Sequence, residues 1–212
     1  SAHLYQLSSG KTLDLNLGSF ENYYIPQVYS TAKNDEVALA TSNRHQNKVD
    51  ILKVNTSNGA VSKLISETDN AWIETDGMTL EFLDDNSFLW ASERSGFRHL
   101  YWFDAKGNLK KPVTKGNWEI TDYYGFNPKT KEVFIQTTEK GSLNKVVSKV
   151  NISNGKMMLL SQAEGNNRAD FSKNYQYFIE TSSTANKPNV YTLKDGSGKS
   201  LKELQNNDAL LS

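Results

Sequence analysis

The sequence contains no cysteine. It therefore offers no disulfide and no thiolate metal site, and leaves the redox compartment open. No run of about 18 apolar residues occurs, so no membrane-spanning helix is encoded. Net charge is also lacking, with Lys and Arg numbering 24 against 24 Asp and Glu. Such a balance gives no electrostatic reason to bind nucleic acid or an anionic membrane surface. The opening SAHLYQLSSG lacks the basic and apolar regions of a secretory signal. Proline is scarce, at four residues, and no Gly/Ser or Pro tract divides the 212 residues. That length suits one large all-β domain or a segment of one. Amphipathic helices are missing too: no 3.6-residue stripe persists for 12 residues, and only a short turn at 207–211 is expected.

What is present is a repeat. Turn-type glycines recur at Gly10, Gly59, Gly107, Gly155 and Gly198, spaced 49, 48, 48 and 43 residues apart. Each lies in a short polar link, where Gly and Asn supply the positive φ of a tight hairpin. Apolar or aromatic stretches flank every link: Leu4–Leu7, Val49–Val54, Leu100–Phe103, Val146–Val150 and Val190–Leu193 before it, and Leu13–Leu15, Val61–Ile65, Val113, Met158–Leu160 and Leu201–Leu204 after it. Upstream lies a more hydrophobic pair of stretches. Its first member ends near Tyr29, Phe82, Phe126 and Phe171, and its second is Val37–Ala40, Phe88–Ala91, Val133–Gln136 and Tyr177–Glu180. Each unit thus holds four strands, A to D, in roughly 45–49 residues, the blade period of a β-propeller. The expected architecture is all-β: half a blade at 3–15, then four four-stranded antiparallel blades at 20–66, 70–115, 118–162 and 165–204, forming one partial propeller. Beginning in mid-blade implies a piece of a larger ring.

Catalytic and metal motifs are lacking. No Gly-x-Ser-x-Gly string exists to form a nucleophile elbow. Histidine is limited to His3, His45 and His99, and His99, opening a C strand, is expected to satisfy a loop carbonyl. No His-x-x-x-His, cysteine pair or Asp-x-Asp-x-Asp-Gly loop is available for a metal. Asp84 and Asp85 read as turn residues. In Gly196-Ser-Gly-Lys-Ser200 a phosphate loop would require glycine where Leu193 stands and a helix where a strand is expected. Asn55-Thr-Ser57 and Asn151-Ile-Ser153 fit glycosylation acceptors, but turn propensity accounts for both.

One pattern has a candidate contact role. In propeller topology the D–A and B–C loops share a face. That face would hold Trp72, Glu74, Trp118 and Glu119 with Glu93 and Arg94, a substrate-cavity or domain-docking surface. The plainer reading packs each Trp between blades and pairs each Glu with Arg94 or Arg98.

Ser92-Glu-Arg-Ser-Gly-Phe-Arg-His-Leu-Tyr101, followed by Lys115-Gly-Asn-Trp-Glu119, resembles the dipeptidyl peptidase IV branch of the prolyl oligopeptidase family. Asn43-Arg-His-Gln-Asn47 with Asp50, Asn70-Ala-Trp72, Tyr191-Thr-Leu193 and the tail 204–210 extend the resemblance in order along the chain. The resemblance implies a parent with an eight-bladed N-terminal propeller and a C-terminal α/β-hydrolase domain carrying a Ser–Asp–His triad. That parent would remove N-terminal Xaa-Pro or Xaa-Ala dipeptides, with no cofactor. This chain would be the later, non-catalytic half of the propeller, with 205–212 opening the junction to the hydrolase domain. Its partners would be that domain and peptide substrates. The family's paired Glu and its triad both fall outside this segment, and Ile73-Glu-Thr-Asp76 replaces an Arg-Phe-Arg stretch of some animal members. The lack of the propeller disulfides of animal members implies a bacterial relative, periplasmic or at the cell surface. Open blade faces and strand edges would favour self-association. A stand-alone propeller binding a protein or ligand is the alternative. A glycosidase would need convergent carboxylates, whereas the A and B strands offer only Glu81 and Glu180 as scattered exceptions.

Overall fold

The computed structural model describes residues 2–18 and 23–211. The expected start of the second repeat at residue 20 and the terminal Ser212 lie outside the described residues. A two-stranded hairpin, β1 (Ala2–Gln6) and β2 (Lys11–Leu15), comes first. Four four-stranded sheets follow, each paired in chain order. They comprise β3 (Tyr23–Ser30), β4 (Glu36–Asn43), β5 (Lys48–Asn55) and β6 (Val61–Thr68); β7 (Leu80–Phe82), β8 (Phe88–Ser92), β9 (His99–Phe103) and β10 (Leu109–Pro112); β11 (Ile120–Asn127), β12 (Glu132–Thr137), β13 (Val146–Asn151) and β14 (Met157–Leu159); and β15 (Asn166–Phe171), β16 (Tyr177–Thr184), β17 (Lys187–Asp195) and β18 (Ser200–Gln205). A 3-10 turn at Asp208–Leu211 ends the chain. The repeated stretches read from the sequence overlap these strands, except Val113, which follows the end of β10.

Burial follows position in the sheet. In the first three four-stranded sheets the second strands are covered on both faces, so Ala38 to Ser42, Phe88 to Trp90 and Val133 to Thr137 are buried without alternation, whereas β16 of the last sheet alternates between buried and more exposed residues. Fourth strands are far more exposed, and β18 is exposed throughout. Hairpin turns between third and fourth strands share one construction. Asn55 Oδ1 accepts the N–H groups of Ser57 and Asn58, and Asn151 Oδ1 those of Ser153 and Asn154. Asp104 and Asp195 hold their turns in the same way. The left-handed glycine then closes the loop, as Gly59 N–H donates to Asn55 C=O at 2.9 Å. The stretch 195–200 is therefore a hairpin turn. Pro26, with no N–H to donate, falls where the β3–β4 register shifts between Tyr24 and Gln27.

The chain divides into two compact units, Ser1–Ala91 with Trp102–Lys110, and Ser92–Tyr101 with Lys111–Ser212. In the first, Leu17, Leu39, Leu52 and Val54 form a buried cluster flanked by Ala2, Leu15 and Tyr23. Phe88 also stacks on Phe103 with ring centroids 5.1 Å apart. In the second, Phe134, Val147, Leu160, Ala169 and Phe178 are buried together, and Phe134 stacks on Tyr175 at 4.4 Å. Each buried Phe contributes roughly 2–3 kcal/mol of transfer free energy. These aromatic and branched residues explain why the inner strands stand out in the sequence.

Candidate functional site

Within each unit, loops between second and third strands dock against loops that lead into the next sheet. In the first unit the docking is organised by Asn43. Its Oδ1 accepts the N–H groups of Asn47 and Lys48, and its Nδ2 donates to Asn47 Oδ1. Gln46, held at φ 52°, accepts Ile73 N–H on its carbonyl at 2.7 Å, while Asn47 C=O accepts Asp69 N–H. Trp72 completes the contact by donating its indole N–H to Gln46 Oε1 at 3.1 Å. The indole remains 53% exposed, so Trp72 is a surface residue. Glu74 is exposed beside it, and its carboxylate accepts Asp76 N–H.

In the second unit the loop 92–98 is cross-linked by its own side chains. Ser92 Oγ accepts both Arg94 N–H and Arg94 Nε–H. The Arg94 guanidinium lies 4.8 Å from the Tyr101 ring centroid, and Tyr101 OH donates to Ser95 Oγ. Glu93 is exposed, and its carbonyl accepts Gly96 N–H. Arg98 C=O takes Ile120 N–H at 2.8 Å, which brings the 114–120 loop alongside. Glu119, exposed, is fixed by its backbone: its N–H donates to Thr138 Oγ1 and its carbonyl accepts Thr138 N–H. Trp118 is half-buried, edge-on to His99 at 4.8 Å. Gly116 is required here, because it sits at φ +142° and a Cβ would fall 2.3 Å from Trp118 Nε1.

Thus Glu93, Arg94, Trp118 and Glu119 share one end of the second unit. Trp72 and Glu74 occupy the corresponding loop of the first. Both loops are positioned mainly by backbone hydrogen bonds, which leave the Glu74, Glu93 and Glu119 side chains turned to solvent.

His99 is engaged structurally. It is 1% exposed, its Nε2 lies 3.0 Å from Gly116 O, and its Nδ1 lies 3.1 Å from Thr114 Oγ1. A carbonyl can only accept, so Nε2 carries a proton. Thr114 Oγ1 already accepts Leu100 N–H at 3.0 Å, which leaves the hydroxyl hydrogen to bond Nδ1. The imidazole therefore has no free nitrogen for catalysis. Among the described residues, no group of three or more His, Cys, Asp or Glu side chains is arranged to hold a metal.

Sequence reasoning missed two polar clusters. Glu180 and Lys194 form a buried ion pair at 2.7 Å. Glu180 Oε1 also accepts Gln162 N–H, and Lys194 Nζ donates to Leu160 O. Buried Asn167 sends its Nδ2 to the carbonyls of Lys145, Gln162 and Glu164, and its own carbonyl accepts Gln136 Nε2 at 2.6 Å. Both clusters tie the 160–166 connection to its sheets. The available signal was a polar residue in an apolar strand, and Glu180 carried it.

The geometry finds close counterparts. The family model described as dipeptidyl peptidase IV (DPP IV) N-terminal region matches residues 1–189. Dipeptidyl peptidase 4 of Trichophyton equinum is 27% identical over 222 aligned positions, covering 99% of this chain and 28% of the relative. The same figures hold for dipeptidyl peptidase 4 of Arthroderma otae. The crystal structure of Porphyromonas gingivalis dipeptidyl peptidase 4 matches with a TM-score of 0.90 and 31% identity, covering 98% of this chain and 30% of that one. The chain spans less than a third of the length of these relatives, which are both fungal and bacterial. Its four-stranded antiparallel sheets are blades of their propeller region. From the turn glycines to the docked loops, the chain belongs to the dipeptidyl peptidase IV N-terminal region family.

Proposed function

We propose that this chain is the non-catalytic later half of the propeller of a serine dipeptidyl peptidase, which removes Xaa-Pro or Xaa-Ala dipeptides from peptide N-termini. In the whole enzyme it would wall the cavity over a downstream α/β-hydrolase domain, with residues 205–212 leading into that domain. Its work would be to admit thin peptides and position them, since holding a substrate in a productive orientation lowers the entropic part of the barrier. Trp72, Glu74, Glu93, Arg94, Trp118 and Glu119 would line the cavity or meet the hydrolase domain. A bacterial source, with the enzyme in the periplasm or at the cell surface, belongs to the same proposal.

The observation that carries this reading is the end-to-end match to a dipeptidyl peptidase 4 structure at 31% identity. The exposed Trp72 indole, two residues from the exposed Glu74, supports a contact role for the docked loops, because aromatic anchors with polar rims are typical of recognition surfaces. Reading the gene on both sides of this segment tests the proposal. A Glu-Glu pair upstream and a Gly-x-Ser-x-Gly string downstream are expected. A reading frame with neither would overturn it and favour a stand-alone binding propeller.

A further inference from the structure

Asn-Gly occurs twice in the sequence, at Asn58-Gly59 and Asn154-Gly155. Both pairs close hairpins between third and fourth strands, and the two turns are bonded alike. Gly59 N–H donates to Asn55 O at 2.9 Å, and Gly155 N–H to Asn151 O at 2.8 Å. Asn58 Oδ1 accepts Ala60 N–H at 2.9 Å, and Asn154 Oδ1 accepts Lys156 N–H at 2.8 Å. A side chain from outside each turn also donates to its serine carbonyl, Gln6 Nε2 to Ser57 O and Lys111 Nζ to Ser153 O. What differs is the packing at the glycine. A Cβ on Gly59 would lie 3.5 Å from Leu15 and 3.6 Å from Leu13, so that turn rests on β2. The hairpins of Gly107 and Gly198 likewise rest on the preceding sheet, where a Cβ would meet Leu64 O and Leu160 O. Among the described residues, nothing lies within 4 Å of a Cβ on Gly155.

We infer that Asn154 is a site of non-enzymatic deamidation, where the folded chain accumulates aspartate and isoaspartate. The Gly155 nitrogen attacks Asn154 Cγ. That N–C bond forms, the C–NH2 bond breaks, and ammonia leaves with the amide proton, closing a succinimide ring. Solvent water then adds to either ring carbonyl and opens the ring to Asp or isoAsp. Glycine crowds the attacking nitrogen least, because it has no Cβ. In the closed turn this N–H is committed to Asn151 O, so the reaction proceeds from the opened turn and its rate carries the opening equilibrium. Opening the Asn58 turn must also peel Gly59 from Leu13 and Leu15. The Asn154 turn has no such packing to break. An isoaspartate there lengthens the backbone and adds a carboxylate beside β14, an edge strand of only three residues. The inference holds whether or not the parent is a peptidase.

Incubating the intact chain at neutral pH and mapping its tryptic peptides by mass spectrometry tests this. Peptides 54–63 and 150–156 each carry one Asn-Gly asparagine and one, Asn55 or Asn151, followed by a bulkier residue. Asn154 should convert roughly fivefold or more faster than Asn58, the ratio that about 1 kcal/mol of difference in opening produces. Asn55 and Asn151 should stay intact over the same time. In concentrated urea the two Asn-Gly rates should converge, because the packing is gone. Leu13→Ala should raise the Asn58 rate in the folded chain, and Asn154→Gln should remove the product at 154 while leaving the Asn58 rate unchanged. Conversion at Asn58 equal to or faster than at Asn154 in the folded chain would overturn the assignment. So would an intact Asn154 over the time in which urea-treated chain converts, a rate ratio that persists in urea, or a Leu13→Ala chain with an unaltered Asn58 rate.

Discussion

Alanine at the turn glycines separates two costs that these hairpins combine. Gly59 and Gly107 belong to the first unit, Gly155 and Gly198 to the second. All four hold positive φ, at 74°, 87°, 73° and 85°. Forcing an alanine into that region costs about 1–2 kcal/mol at every one of them. The second cost differs. At Gly59 the new methyl meets ordinary van der Waals neighbours, and at Gly155 it meets open space. At Gly107 and Gly198 it collides with the backbone of Leu64 and Leu160, and a backbone carbonyl cannot swing aside as a side chain can. Overpacking of this kind adds roughly 1–3 kcal/mol. Gly107→Ala should therefore lose about 2–5 kcal/mol against about 1–2 for Gly59→Ala. Gly198→Ala should exceed Gly155→Ala by the same margin. Urea unfolding with unchanged slope measures each difference. Equal losses within each pair would refute the packing of hairpins onto the preceding sheet.

Three further outcomes follow from the geometry. Glu180→Leu strands the Lys194 ammonium in a buried site and should cost about 3–5 kcal/mol, whereas the Glu180→Leu, Lys194→Met double variant should recover most of that loss in denaturant titrations. Burial pushes the Tyr29 phenol from 10.0 up to about 12, and raises Tyr124 as well. Folding favours the neutral phenol, so its stability contribution is complete below pH 10 and is lost as pH rises toward the folded value. Two units set a ceiling of about 2.7 kcal/mol for Tyr29, which partial exposure reduces to about 1 kcal/mol. Tyr29→Phe should flatten the alkaline limb of a Tm-against-pH curve. The β1–β2 hairpin is a two-stranded sheet beside four-stranded ones, with Tyr5 60% and Leu7 90% exposed. Concentration-dependent association is expected in light scattering, and a strictly monomeric species would contradict it.

The sheet order and strand positions were legible because turn chemistry and burial act locally. Asn or Asp opens the hairpins closed by Gly59, Gly107, Gly155 and Gly198, and the buried second strands of the first three four-stranded sheets need continuous apolar residues. Strand ends were less legible. The sequence places Val113 and Leu160 inside fourth strands, whereas the ladders stop at Pro112 and Leu159. Both residues still donate, to Leu100 O and Val147 O at 2.8 Å. The reciprocal bond goes to a side chain: Leu100 N–H donates to Thr114 Oγ1, and Val147 N–H to Ser161 Oγ. A hydroxyl standing in for a carbonyl ends both ladders, and no periodicity reveals it. In the candidate site, topology indicates which loops share an end of a sheet. It does not indicate that Arg94 is occupied by Ser92 and Tyr101, nor that Trp72 is anchored by Gln46 with half its surface in solvent. Those outcomes depend on side-chain geometry, and in the case of Trp72 on a partner 26 residues away in the chain.

The proposed division of labour, with selection here and bond cleavage in a downstream domain, is tested most directly by assaying the purified 212-residue chain on a Gly-Pro chromogenic substrate. No release of chromophore above the uncatalysed rate is predicted. Turnover that copurifies with the chain and is abolished by a serine-directed inhibitor would contradict the account.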